Sequence, residues 1–472
     1  MKRVFEAFGR NRVTTTGAVL VFSSLALLLL LVGLDVAGQI TNPYVSIITY
    51  MLVPLVLVLG LVLVPLGARS HHLYERKIGK QVDPYFSFDF NDPVVRRRAW
   101  FFGATTAMIG LALAAAAYRG SHFMETPKFC GEACHTVMEP EYVAYLRSSH
   151  ARVPCVDCHI GPGLPWLFRQ KLSGLRQTIH FVTNTYQRPI PSPVKDLRPA
   201  RDVCEVCHWP QRFFGDVVKS VYTFDPDEHN TINLTRITLR VGSHAAQSSG
   251  IHSHIEKQVY YMPKDDKRME MAWVYEQKVD GSTVLWVPEG GEVPEDAGPK
   301  ARGVRKMDCV DCHNRSAHRF EPFERLVDDA MTRGEISRKI PWIKKMAMDA
   351  APPIDGPITE AQQRKVLGAL QAIPERYRTE YPAIFEEYRE QIALAARKLA
   401  QLYKGTAFPK MKVYPGMQPD LQTHEGCDRC HGVLVAASGM HKGETLSGDC
   451  SLCHTEPEML SGPQAEADAP QR

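Results

Sequence analysis

The chain has 472 residues, is 44% hydrophobic, and carries 56 basic against 52 acidic residues for a net charge of +4. An excess so small gives no reason to expect nucleic acid as a partner. Much of the apolar content lies in the first 118 residues, and the rest is rich in Pro, Arg and charge. That remainder is short of the residues a core of its size requires, so something else must fill it.

Three uncharged apolar runs come first, at 13–34, 46–68 and 99–118. Each approaches or exceeds the roughly 20 residues that cross a bilayer as a helix. The first is too long for a signal-peptide apolar region and lacks a small-x-small site after it, so an uncleaved anchor is expected. Lys2, Arg3, Arg10 and Arg12 precede the first run, and the loop 69–98 holds seven basic residues, Arg96, Arg97 and Arg98 among them. The positive-inside rule places both in the cytoplasm and residue 119 onward on the other side.

Beyond the third run, all 12 cysteines fall in six motifs. Five are regular: CVDCH (Cys155, Cys158, His159), CEVCH (Cys204, Cys207, His208), CVDCH (Cys309, Cys312, His313), CDRCH (Cys427, Cys430, His431) and CSLCH (Cys450, Cys453, His454). Two thiols and a following imidazole are the attachment signature of c-type haem: the sulfurs bind the vinyl groups and the histidine takes one axial position on the iron. Zinc, iron–sulfur and disulfide readings leave the histidines unexplained. The first motif, CGEACH, separates Cys130 from Cys134 by three residues before His135, with Met138 three places on. One extra residue still lets both sulfurs reach one ring. Six covalent haems are therefore expected. Their bulk would supply the missing core, and haem attachment occurs on the outer side of the bacterial inner membrane, in agreement with the charge pattern.

Low-spin haem needs a second axial ligand. Besides the six motif histidines and His71 and His72 of the loop, the chain offers His122, His150, His180, His229, His244, His252, His254, His318, His424 and His441. Five of these suffice for the regular motifs: His150, either His252 or His254, His318, His424 and His441. The alternation expected around 252–254 would turn both histidines the same way, so either could serve one haem.

The stretch FCGEACHTVMEPEYVAYLRSSHARVPCVDCH at 129–159, together with CVDCHNRSAH at 309–318, resembles the NapC/NirT/NrfH quinol dehydrogenases. The tail from Phe408 to His454 resembles their longer members, which add two haems to a tetrahaem core. The resemblance implies that the first haem accepts electrons from quinol, menaquinol above all, with Met138 or His135 on its iron. It implies an axial role for His318. That histidine follows His313 by five residues, too short a link to reach the opposite face of its own haem, so it is expected to serve one of the first three. The resemblance also implies a lysine and a carboxylate at the quinol. Lys171 fits the first, Gln177 stands near the second, and His122 is a substitute proton acceptor.

The expected fold is a membrane-anchored multihaem cytochrome c. Three transmembrane α-helices (1–118) precede a mostly α or irregular, haem-packed periplasmic part. That part comprises a tetrahaem domain at 119–320 with a β insert at 209–308, a helical linker domain at 321–403, a dihaem segment at 404–456 and a disordered tail at 457–472. Expected partners are the membrane quinol pool, a periplasmic redox protein or reductase, and a larger membrane complex. A reductase with its own catalytic haem, or an electron-transfer subunit of a respiratory complex, are the alternatives.

Overall fold

The computed structural model describes residues 11–36, 48–79, scattered positions from 91 to 123, 125–133, 135–160, 172–192 except 175 and 178, 198–209, 215–242, 250–438 except 279, and 441–469. The chain divides into two compact units, residues 1–129 with 162–173, and 130–161 with 174–472.

In the first unit, α1 (Arg12–Val36) and α2 (Val53–Ile78) are 25 and 26 residues long. At about 1.5 Å per residue either exceeds the ~30 Å of a bilayer's hydrocarbon core. The first coincides with the expected span 13–34, and the second overlaps 46–68 but continues as helix to Ile78, into the stretch expected as a loop; the third, 99–118, lies largely outside the described residues. The two helices meet through glycines. A Cβ on Gly67 would lie 2.5 Å from the Thr14 backbone nitrogen, and one on Gly60 would lie 2.9 Å from the Gly17 oxygen. Lipid gives apolar helices no hydrophobic reason to associate, so close backbone approach takes over that role. Asn11 Nδ2 donates to the Gly67 carbonyl at 3.0 Å. Phe22 and Leu55 are exposed, as a lipid-facing surface requires.

The second unit has one large apolar core, and it is helical. Helices α3 (Phe323–Thr332), α4 (Ile343–Ala350), α5 (Glu360–Gln371), α6 (Ile373–Glu380) and α7 (Pro382–Lys404) bury Leu326, Ile343, Leu370, Tyr377 and Leu399 together. In α7 the buried residues Ile392, Ala395, Ala396, Leu399 and Tyr403 follow helical spacing. Thr359 and Gln362 close a capping box at the start of α5. Lys344 is fully buried and bonds Asp328 at 2.5 Å.

The segment 215–306 supplies strands to two sheets. β1 (Gly215–Phe224) and β2 (Ile232–Gly242) form a long antiparallel hairpin whose Phe224, Ile232 and Leu234 enter the helical core. β3 (Gln258–Pro263), β4 (Met271–Gln277), β5 (Thr283–Pro288), β6 (Arg305–Lys306) and β7 (Leu434–Ala436) make a five-stranded sheet in the order β6-β3-β4-β5-β7. The β4–β5 turn runs through Gly281 at φ +82°, as its Asp-Gly signal implies. The two edge strands carry the chemistry: β6 leads into the motif at 309 and β7 leaves the one at 431.

The C-terminal residues correct the sequence expectation. Instead of a disordered tail, β8 (Glu458–Ser461) pairs antiparallel with β2, and Ala465 of the turn of helix Pro463–Ala467 is fully buried in the helical core. Arg236 bonds Glu458 at 2.9 Å and Asp468 at 3.2 Å, and Arg338 bonds Glu466 at 2.7 Å. Composition suggested disorder because the segment is polar; its order comes from an open β2 edge that it completes.

Candidate metal centres

The regular motifs fold as single helical or 3-10 turns. The imidazole-bearing residue closes the turn onto the first cysteine: His208 N donates to Cys204 O at 2.7 Å, His313 N to Cys309 O at 2.7 Å, and His431 and His454 to Cys427 and Cys450 at 3.1 Å. Residues i, i+3 and i+4 of such a turn share one side, which gathers two sulfurs and a ring toward one ligand. The irregular motif begins in a π-helical turn, Phe129–Ala133. Such a turn holds one residue more than an α turn, which is the length of the insertion. Cys134 and the side chain of His135 lie outside the described residues. Met138 is half-buried on the helix His135–Arg147.

Each regular motif histidine faces a second histidine. Ring centroids are 6.1 Å apart for His159 and His318, 6.0 Å for His208 and His150, 6.2 Å for His313 and His252, 5.8 Å for His431 and His254, and 6.0 Å for His454 and His424. The paired rings are inclined to each other by 51–80° rather than parallel. Two trans metal–imidazole bonds of about 2.0–2.1 Å, plus about 1.1 Å from each nitrogen to its ring centre, give about 6.2 Å. All five pairs could therefore hold one metal from opposite sides.

Hydrogen bonds orient the rings. Nδ1 donates to a backbone carbonyl in His318 (Glu141, 3.1 Å), His150 (Ser316, 3.2 Å), His254 (Ile251, 2.7 Å), His431 (Ser447, 2.7 Å) and His454 (Thr455, 2.8 Å). His313 Nδ1 meets Gln422. Spending the proton on Nδ1 leaves the Nε2 lone pair for a metal. Burial lowers the pKa of His159, His252, His254 and His313, and takes His318 down to about 4. These imidazoles are neutral at pH 7, as ligation requires.

The cysteines lie beside these pairs, and among the described residues none forms a disulfide. A hydrogen bond with Cys130 draws the Cys155 thiol down to about 7, and one with Cys309 lowers Cys204. Sulfurs of the first and second motifs, and of the third and fourth, are thus in reach of each other. A cavity of ≈ 420 Å³ borders His424 and His454 and is also lined by Arg240 and Cys450.

The placement of the expected ligands departs from the sequence reading at two points. His252 and His254 do not share a partner. They flank the start of the short helix Ser253–Glu256, where residues two apart are rotated by about 200°, so one ring faces His313 and the other His431. His441 bonds Glu444 at 2.8 Å and takes no place among the five pairs. Of the quinol-site residues, Lys171 and His122 lie outside the described residues and Gln177 is exposed on a helix.

The sequence reading missed the polar junction of the fourth and fifth motifs. Asp311, buried between Cys309 and Cys312, accepts from Tyr261 Oη at 2.6 Å and Arg268 Nη1 at 2.9 Å. Arg429, in the same position of the next motif, donates to the Asp311 carbonyl at 2.8 Å. The only hint was an arginine inside CDRCH.

Comparison with known proteins gives three findings. The N-terminal region of the NapC/NirT cytochrome c family matches residues 94–190. The cytochrome c-type protein ImcH of Geobacter sulfurreducens is 35% identical over 454 residues, covering 94% of this chain and 87% of that protein. The cytochrome c-type protein TorC of Escherichia coli is 37% identical over 71 residues, 14% of this chain and 18% of that protein. No solved structure matches.

Proposed function

This chain belongs to the NapC/NirT cytochrome c family, and from that premise we propose that it is a hexahaem inner-membrane cytochrome that takes electrons from menaquinol and hands them to a periplasmic redox partner. Covalent haem c, membrane anchoring and electron transport come with the family; the number of haems, the donor and the partner are the reading offered here. The observation that carries it is the set of five histidine pairs at metal-bridging distance, each beside a Cys-x-x-Cys turn.

His159 and His318 would ligate the iron at motif 2, His208 and His150 at motif 3, His313 and His252 at motif 4, His431 and His254 at motif 5, and His454 and His424 at motif 6. When bound, the haems supply one-electron transfer, for which the protein fixes spacing and potential. Short peptides set the spacing. Residues 150–159 tie motif 3 to motif 2, 313–318 tie motif 4 to motif 2, 252–254 tie motif 4 to motif 5, and 424–431 tie motif 5 to motif 6. With the Cys130–Cys155 contact, the order runs from motif 1, the first after the anchor in sequence, to motif 6.

At the entry, Met138 or His135 would hold the first iron. Lys171, His122 and Gln177 are the candidates to position quinol and take its protons. The basic loop 69–98 stays cytoplasmic and a third span at 99–118 delivers the haem part to the periplasm. A reductase needs an open coordination position away from the membrane, whereas the five histidine pairs would supply two ligands each at motifs 2 to 6. That favours transfer over substrate reduction.

The test is reduction of the purified protein by a menaquinol analogue, followed haem by haem. Reduction of all six supports the reading. Reduction by dithionite but not by quinol overturns the donor.

A further inference from the structure

The fourth and fifth motifs meet through the residues between their cysteines. Arg429 of CDRCH is 8% exposed. Its guanidinium donates three hydrogen bonds, all to backbone carbonyls: Nε to Gly426 at 2.7 Å, Nη1 to Arg268 at 2.9 Å and Nη2 to Asp311 at 2.8 Å. Asp311, the one carboxylate buried in the junction among the described residues, turns its Oδ1 away from Arg429 toward Tyr261 at 2.6 Å, Arg268 at 2.9 Å and Arg305 at 3.8 Å. Its Oδ2 accepts from Asp308 N at 2.8 Å. Asp308 uses its carboxylate on Cys309 N and Ala200 N. Asp428 is exposed to solvent.

Arg429 therefore holds a buried positive charge satisfied by carbonyl dipoles but, among the described residues, paired with no carboxylate. Such a charge is costly to keep unless position demands it. It stands between two attachment turns. Arg429 lies between Cys427 and Cys430, and its Nη2 donates to the carbonyl of Asp311, which lies between Cys309 and Cys312, so one cation adjoins both motifs. Fixed charge and burial are levers on a haem's reduction potential. A nearby cation stabilises the state that carries one more electron.

We propose that Arg429 is a positioning residue that locks motif 5 onto motif 4 and raises the reduction potential of the two haems bound there, drawing electrons from the first three motifs toward the C-terminal pair. This deepens the proposed function and rests on haems being bound at both motifs. The guanidinium's flat fork, aimed at three fixed carbonyls, supplies the geometry, and its permanent charge supplies the potential.

The test uses the full-length, haem-loaded protein in detergent, with intact mass and a potentiometric titration resolved by spectral component. Intact mass checks the reading itself: fewer than six haems in the unmodified protein would fault that, not this inference. Arg429→Gln is expected to keep six haems and lower two potentials, each by about 59 mV or more, a tenfold change in a one-electron equilibrium. Arg429→Lys, which keeps the charge but not the fork, is expected to leave those potentials near their original values and to alter the low-spin spectrum of the same two haems. Equal shifts in both variants, or none in either, overturn the electrostatic role. Should Arg429→Gln fail to mature, Asp311→Asn decides: removing the carboxylate's charge should raise the same two potentials, and unchanged potentials overturn the proposal.

Discussion

At the scale of single residues, the distal histidines make the sharpest distinctions. His318 lies 6.1 Å from His159, so His318→Ala should leave six covalent haems, because attachment uses the cysteines, and should turn the motif 2 haem high-spin. Resonance Raman or EPR spectra identify the change, and a fully low-spin variant would refute the assignment. His254→Ala should do the same at motif 5, whereas His441→Ala should change no spin state, since His441 is tied to Glu444. Elsewhere, Lys344 is fully buried against Asp328. Lys344→Ala should destabilise the helical part by about 3–5 kcal/mol, because it strands a buried carboxylate. Adding Asp328→Asn should recover part of that loss in denaturant melts.

Secondary-structure elements carry the next set of constraints. The anchor hairpin relies on backbone contact at Gly17, Gly60 and Gly67, with less than 3 Å to spare for a Cβ at Gly67. Gly67→Leu should separate α1 and α2 and lower the thermal midpoint of the detergent-solubilised protein by several degrees; an unchanged midpoint would show the contact to be dispensable. At the other end, β8 completes the β1–β2 sheet directly after motif 6, and Arg240 N bonds Cys453 O at 2.8 Å. Deleting 457–472 should uncover Leu234 and loosen His454. The expected result is earlier melting and selective loss of low-spin character at motif 6, while motifs 2 and 3 keep theirs. Strand pairing thus does for the last motif what the β6 and β7 edges do for the fourth and fifth.

For the molecule as a whole, the apolar cores sit in the helical part and in the five-stranded sheet, and the segment that carries the first three motifs has little core of its own. The segment 135–209 buries only Ala144, Tyr145 and Ala200 among its described apolar residues. Its order must depend on what the histidines and cysteines bind, because so little area is removed from water without it. Protein made in a host unable to attach haem should therefore show the 321–403 helices folded and 135–209 rapidly exchanging by hydrogen exchange. Protection across both regions would contradict this.

What the sequence determined by itself is what is local. The Cys-x-x-Cys-His turns bring ligands together within five residues, so type and spacing alone reveal them. The apolar runs of α1 and α2 reveal themselves by length, and Asp-Gly marks the β4–β5 turn. What only tertiary structure decided is pairing at long range. His150 meets His208, His159 meets His318 and His254 meets His431, across 58, 159 and 177 residues. A histidine's spacing from its own neighbours carries no record of a partner so distant. The choice among the ten histidines outside the motifs and the loop is made by how the strands and links fold around them. The same holds for the final segment, whose polar composition read as disorder until β2 offered it an edge, and for Arg429, whose role exists only where two motifs touch.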